Sequence, residues 1–247
     1  MTLLQHIKRK VRLLVQGKKE MDAVRAYDRW AATYDDQPGN LMIYLDDEVF
    51  TAMMRNVAVE NKVIADIGCG TGRHWPKLFA HRPLRLIGYD VSAEMLDKLR
   101  QKFPPAETHV LRDHLLPELP DSTCDVIICN LALGYIKNLP AALQEWDRVL
   151  KNGGLVFITD MHPEALQKGA ERSFAHGKEK VVIKNYLHTF PQLQALAQTL
   201  HWKEQAFTER RVDEAIKFFY EKQNALHIYE QSYHTALLYG WLFKKEL

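Results

Sequence analysis

The sequence predicts an α/β protein whose parallel sheet is covered by helices on both faces. Three observations predict it. Short, almost wholly apolar runs recur at Val63–Ile67, Cys124–Cys129 and Leu155–Thr159. Such runs suit parallel strands, which are buried on both sides. Segments of helical spacing separate them, as with Leu143, Trp146, Val149 and Leu150. A glycine loop, Gly68-Cys69-Gly70-Thr71-Gly72, joins the first run to the following helix.

Composition narrows the class. The chain has 247 residues, 26% charged and 47% hydrophobic, which excludes disordered and collagen-like chains. The length suits one domain, or one with a sizeable insertion. A net charge of +2 is too balanced for an obligate nucleic-acid wrapper. Three cysteines, Cys69, Cys124 and Cys129, make neither a disulfide framework nor a four-ligand zinc site, so no metal is expected. No apolar run approaches the roughly 18 residues of a membrane span, and Met1–Lys10 lacks a signal-peptide core. The expectation is a cytoplasmic protein.

Residues 1–20 carry Lys8, Arg9, Lys10, Arg12, Lys18 and Lys19 against Glu20. Leu4, Ile7, Val11 and Leu14 share one helical face, so a basic amphipathic helix is expected. It reads as packing on the domain or as a contact for a membrane surface or acidic partner. Helices are expected over 21–34 and 41–58, separated by the breaker Gln37-Pro38-Gly39-Asn40. Val63–Ile67 is the first strand of the core, and a helix to about Ala80 follows the glycine loop. Leu84–Asp90 is the next strand, and Ser92 caps the helix after it, with Glu94 in the first turn. Strands follow at Thr108–Leu111, Cys124–Cys129 and Leu155–Thr159. A helix between the last two ends at Asn152-Gly153-Gly154. A hairpin-like insertion spans Phe174–Leu187 around Gly177. A helix over Pro191–His201 and strands over Trp202–Val212 and Thr235–Lys244 complete the chain.

The glycine loop brings function into view. Glycines there allow a tight turn and close approach of backbone to a ligand, and the next helix offers free N–H groups. Asp90 lies 22 residues after Gly68, at the end of the next strand, where a carboxylate can accept hydrogen bonds from both hydroxyls of a ribose. The third glycine comes one place too early for the dinucleotide fingerprint, and Arg73 occupies the final position of that pattern. No Gly-Lys-Ser/Thr follows, so the loop is no P-loop.

Asp66–Gly72 resembles motif I of the class I S-adenosylmethionine-dependent methyltransferases. Gly88–Leu96 resembles their second motif, Asp125–Ile136 the fourth-strand motif, and Arg148–Phe157 the passage from helix to fifth strand. Tyr27–Asp35 resembles the entry helix of the subgroup that includes ubiquinone/menaquinone methyltransferases. The resemblance covers roughly residues 25–162.

It implies a Rossmann-like fold, a seven-stranded sheet with one antiparallel edge strand, S-adenosylmethionine as cofactor and S-adenosylhomocysteine as product. Four regions are expected: an N-terminal helical cap over 1–58, the cofactor-binding core over 59–162, a substrate cap and helix over 163–200, and closing strands over 201–247. Gly68, Gly70 and Gly72 would line the methionine part of the cofactor. Asp66 would orient the loop or meet its amino group. Asp90 would hold the ribose, with Val91 and Met95 against the adenine. Asp113 and His114 match the place of the adenine amino contact, and Asn130 and Leu131 the wall beside the sulfonium. Tyr27, Trp30 and Tyr34 would close over the cofactor or pack their helix.

The acceptor is less defined. The fourth strand ends Asn130-Leu131-Ala132-Leu133, unlike the Asn-Pro-Pro-Tyr of enzymes that methylate planar amines. Gly134 stands where many relatives carry His or Glu. Cys129 reads as buried and inert. His162 and His188 flank the insertion and are the candidate general bases or substrate hydrogen bonders, or else turn residues. The expected activity is methylation of an O or N atom of a small aromatic or apolar metabolite. A quinone-precursor C-methyltransferase, a modified-tRNA methyltransferase served by the basic helix, and a non-catalytic cofactor-binding regulator are alternatives.

Overall fold

The structure, a computed structural model, describes residues 19–246 apart from residues 38 and 178. The basic helix expected over 1–20 therefore lies almost wholly outside the described residues. Its last two positions belong instead to a short strand, β1 (Lys19–Met21). Asp22 caps α1 (Ala23–Trp30) by accepting the Arg25 N–H at 3.0 Å, and a 3₁₀ turn over Ala31–Thr33 prolongs the helix. Asn40 caps α2 (Leu41–Met54), which ends before residue 58 because Val57 and Val59 turn into the core.

Strand and helix then alternate through β2 (Val63–Ile67), α3 (Trp75–Ala80), β3 (Arg85–Asp90), α4 (Ala93–Lys102) and β4 (Glu107–Val110). β5 (Cys124–Asn130), α5 (Leu139–Val149) and β6 (Leu150–Met161) complete this half. β6 starts earlier than the sequence suggests. The chain becomes extended at Leu150, and Asn152-Gly153-Gly154 lies inside the strand, where the pairing with β5 shifts register. Then come α6 (Pro163–Gln167), the antiparallel pair β7 (Ser173–His176) and β8 (Glu179–Ile183), α7 (Phe190–Thr199) and β9 (Trp202–Arg211). Two short helices, α8 (Lys217–Lys222) and α9 (Leu226–Ser232), lead to β10 (Ala236–Lys245).

The main sheet has seven strands in the order β4-β3-β2-β5-β6-β10-β9. β4 to β6 pair in parallel, while β10 is antiparallel to both neighbours. The reversed strand is thus β10, one place in from the edge, and β9 forms the edge itself. Ile127, Trp146 and Trp241 pack one face of the sheet, and Phe50, Ile64 and Leu78 the other. Fully burying each such side chain contributes about 1.5–3 kcal/mol.

A second, three-stranded sheet has the order β1-β8-β7, with β1 parallel to β8 and Met21 opposite Ile183. The insertion is therefore the expected hairpin, but it is completed by a strand from the start of the described chain. Trp30 stacks on Phe174 of this sheet at 4.5 Å, and Met95 of α4 packs beneath both.

α2 is fastened to the main sheet by a buried polar network. Asp46 accepts hydrogen bonds from Arg73, from His74 Nε2 at 2.8 Å, and from the Thr159 hydroxyl near the end of β6. Burial works to raise the Asp46 pKa, but the His74 and Thr159 bonds and the Arg73 charge outweigh it. The carboxyl is held well below its usual range. Asp46→Ala leaves Arg73 and His74 without their common acceptor, so chemical denaturation at pH 7 should show a loss of about 3–5 kcal/mol. A folded-state pKa below the unfolded value means that this contribution is fully present above the ordinary carboxylate range and is lost as pH falls below that range toward the folded-state value. A loss below about 1 kcal/mol at pH 7 would show that the network does not hold α2.

Candidate active site

The carboxyl ends of β2, β3, β5 and β6 surround a cavity of about 410 Å³, within the ~300–1,000 Å³ typical of small-molecule sites. Parallel strands place their ends at one edge, and the loops that leave them form the walls. The floor is the glycine loop. Gly68 (φ +74°) sends its N–H to the Tyr89 carbonyl at 2.6 Å, and a Cβ there would lie 2.3 Å from that of Ala132. Gly70 (φ +54°) faces open space, so its backbone is accessible to a ligand.

Asp90 lines the cavity at the end of β3. It accepts the backbone N–H groups of Gly70 and Ser92, each at 2.8 Å. Burial pushes its carboxyl up to about 6, against the pull of those bonds. Val91, Asp113 and His114 continue the wall on this side.

Asn130 and Leu131 form the opposite end. Thr159 donates its only proton to Asp46, so it must accept from Asn130 Nδ2, at 2.7 Å. The network thus sets the amide orientation and leaves Asn130 Oδ1 buried with no partner among the described residues. Leu131 has φ +53°, a left-handed conformation unusual for leucine. Bonds from its N–H to the Thr159 carbonyl at 2.8 Å and to its carbonyl from Arg172 Nη1 at 3.0 Å hold it there.

Tyr27, Trp30 and Tyr34 of the entry segment roof the cavity with Tyr135. The Tyr27 hydroxyl donates to that of Tyr135 at 2.8 Å. Burial pushes the Tyr34 phenol up to about 12 and also raises that of Tyr27 well above its usual range. The segment is clamped to the loops below it, because Ser92 donates to Asp28 and Thr71 to Asp35, each at 2.6 Å.

Three expected cofactor contacts lie elsewhere. Asp66 is buried behind the loop and accepts the Trp75 indole N–H at 2.9 Å; burial raises its carboxyl to about 7. Gly72 packs toward Leu99 and Phe103, and Met95 belongs to the core cluster under α1. These three position the walls instead of lining the cavity.

Neither histidine lines it. His162 caps α6, its Nδ1 accepting the Glu164 N–H at 3.0 Å, so Nε2 carries the proton and donates to Glu209 at 2.8 Å. With both nitrogens engaged, His162 is a structural cap and no base. His188 donates Nε2–H to the Ile136 carbonyl at 2.9 Å, which holds the loop behind the wall. Cys129 is buried, and burial drives its thiol well above the usual range.

Sequence reasoning missed Arg172 and its partner Asp160. Arg172 comes from the segment between α6 and β7, and its side chain is only 5% exposed. It pairs with Asp160 of β6 and lies over the Tyr135 ring, 4.9 Å from its centroid. A Cβ on Gly134 would stand 2.7 Å from its Nη2. The guanidinium fills the space left by Gly134, and a glycine where many relatives carry His or Glu was the one signal in the sequence.

An α/β sheet whose strand end sets a buried carboxylate, Asp90, against a glycine loop has the layout of a nucleoside-binding fold. The family described as "Methyltransferase domain" matches residues 65–158. A malonyl-[acyl-carrier protein] O-methyltransferase of Yersinia pestis is 36% identical over 135 residues, 53% of this chain and 47% of that protein. The demethylmenaquinone methyltransferase of Chlorobaculum parvum is 28% identical over 211 residues, 76% of this chain and 86% of that one. The chain spans about half or less of the length of the curated relatives it matches at 30% identity or better. In fold it is similar to an S-adenosylmethionine-dependent methyltransferase from Mesorhizobium loti, with a TM-score of 0.63 at 16% identity, covering 81% of this chain and 100% of that one. Residues 65–158 thus match a methyltransferase domain, and the fold is that of the class I S-adenosylmethionine-dependent methyltransferases.

The residues fit the cofactor of that family. Gly70 leaves an open cradle, Asp90 offers a carboxylate to two hydroxyls, and Asn130 Oδ1 is a buried acceptor without a partner among the described residues. Ribose hydroxyls bond best to ionised Asp90. Affinity for S-adenosylhomocysteine should therefore be full above pH 7 and weaken as pH falls through about 6. Asp90→Ala should weaken it by about 1–3 kcal/mol at pH 7.5 and flatten the pH profile. Calorimetry across pH 5–8 checks both; a flat wild-type profile would remove Asp90 from the ribose site.

Proposed function

We propose that this chain transfers the sulfonium methyl of S-adenosylmethionine to an O or N atom of a small metabolite with an aromatic or apolar body. The observation that carries this reading is the cavity itself. It runs from Asp90 past Gly68 and Gly70 to Asn130, then on beneath Trp30, Tyr135 and Ile183. The first stretch suits a nucleoside and the second an apolar acceptor.

The bound cofactor supplies an electrophilic methyl group; the chain's own work is alignment and exclusion of water. Asp90 and the glycine loop hold the nucleoside, the strained Leu131 turn shapes the wall beside the reacting end, and the aromatic roof keeps water out. A quinone-precursor C-methyltransferase is the second reading, favoured by the demethylmenaquinone relative that aligns over 76% of the chain. Among the described residues no helix is long and apolar enough to cross a membrane.

Titration calorimetry with S-adenosylmethionine, S-adenosylhomocysteine and NAD tests the proposal. Micromolar binding of the first two without NAD is expected. Binding of NAD alone would move the protein to redox chemistry.

A further inference from the structure

The stretch Leu131–Tyr135 is a wall that both halves of the cavity share. Gly68, Leu131, Ala132, Tyr135 and Arg172 all line the cavity. On the nucleoside side the glycine loop lies directly against this stretch, since a Cβ on Gly68 would stand 2.3 Å from that of Ala132. On the acceptor side the cap, β7 and β8 with their flanking segments, reaches it three times. Arg172 Nη1 donates to the Leu131 carbonyl at 3.0 Å, and the guanidinium lies 4.9 Å from the centroid of the Tyr135 ring. The Tyr186 N–H donates to the Gly134 carbonyl at 2.7 Å.

This wall needs outside support. Leu131 stands at φ +53°, where a Cβ crowds the backbone. Its N–H is tied to the Thr159 carbonyl at 2.8 Å, and Arg172 ties its carbonyl. Arg172 is placed in turn by the buried Asp160. That carboxylate takes Arg172 Nη2 and, at 2.7 Å each, the N–H groups of Met161 and Gly134. One side chain thus fixes both the guanidinium and the turn that the guanidinium holds. Burial works against the Arg172 charge, but Asp160 outweighs it. The planar fork spans the Leu131 carbonyl with Nη1 and Asp160 with Nη2 at once, which a single ammonium nitrogen does not reproduce. Arg172 also belongs to the cap: it precedes β7, and its carbonyl accepts the Ile183 N–H of β8 at 2.8 Å. A displaced cap therefore withdraws the support of Leu131.

We propose that Arg172 is a positioning residue for methyl transfer: it holds the Leu131 turn in the conformation that seats the reacting end of the cofactor, and it makes that seat conditional on a docked cap. The inference rests on the methyltransferase reading above and adds a residue that lies outside the glycine loop and the strand ends. Cofactor on the glycine loop and acceptor beneath the cap then meet across one wall, so the alignment on which a displacement depends is set from both sides. Gly134 serves the same end, because a Cβ there would stand 2.7 Å from Arg172 Nη2 and push the fork off its two partners.

The test uses full-length protein and S-adenosylmethionine carrying ¹³C in its methyl group. The sulfonium methyl is all that distinguishes this ligand from S-adenosylhomocysteine. The ratio of their affinities therefore reads the wall beside the reacting end, whereas a general loss of structure lowers both alike. Arg172→Lys should weaken S-adenosylmethionine about tenfold in calorimetry and S-adenosylhomocysteine less than about threefold, and it should shift the resonance of the bound methyl. Gly134→Ala, which keeps both charges of the buried pair and crowds the guanidinium, should do the same. Leu131→Gly takes φ +53° without support, so in that background Arg172→Lys should weaken S-adenosylmethionine less than about threefold. Equal losses for the two ligands, an unmoved methyl resonance in either single variant, or an effect of about tenfold that persists beside Leu131→Gly would each overturn the inference. Failure of both ligands to bind the unaltered protein would instead overturn the cofactor reading, which separates the two.

Discussion

The buried Asp46 carboxylate ties together the parts on which the site depends. One oxygen pair gathers Arg73 and His74 from the segment after the glycine loop and Thr159 from near the end of β6. Two pieces of chain far apart in sequence are thus referred to one point on α2. The consequence extends into the cavity, because Thr159 can then only accept from Asn130, and the Asn130 oxygen is left facing outward from the network. A charge so deeply buried is costly unless every lone pair is used. Here its partners include a guanidinium, which supplies the compensation.

A second buried pair, Arg172 with Asp160, joins the cap to the sheet. Its geometry depends on Gly134, since a side chain there would occupy the place of the guanidinium. Arg172 also holds the left-handed Leu131 turn, so it contributes to shape as well as charge. The small sheet β1-β8-β7 carries Phe174 under Trp30, which links the insertion to the entry helix. Roof and cap are therefore one packed unit, and residues before and after the core meet on it.

The core of the fold was legible because its signals are local. Apolar runs mark strands, Ser92 marks a helix start, and the glycine loop with Asp90 marks one end of the cavity. The entry aromatics were legible through the Tyr27–Asp35 pattern. Long-range polar pairing was not. Nothing near Asp46 announces Arg73 or Thr159, and nothing near Arg172 announces Asp160. His162 misled because its place after a strand end suits a base equally well as a helix cap; the Glu164 N–H and Glu209 decide between them. Met95 misled similarly, since one helical turn separates a residue facing the ligand from one facing α1. The pairing of β1 with β8 had no signal, because three residues are too few to show a period.

The most direct measurement is a crystal structure with S-adenosylhomocysteine bound. The account predicts both ribose hydroxyls on the Asp90 carboxylate, the amino-acid end over Gly68 and Gly70, and the sulfur facing Asn130 and Leu131, with Trp30 and Arg172 on the far side of it. A nucleoside bound away from Asp90, or a sulfur directed away from Asn130 and Leu131, would contradict the account.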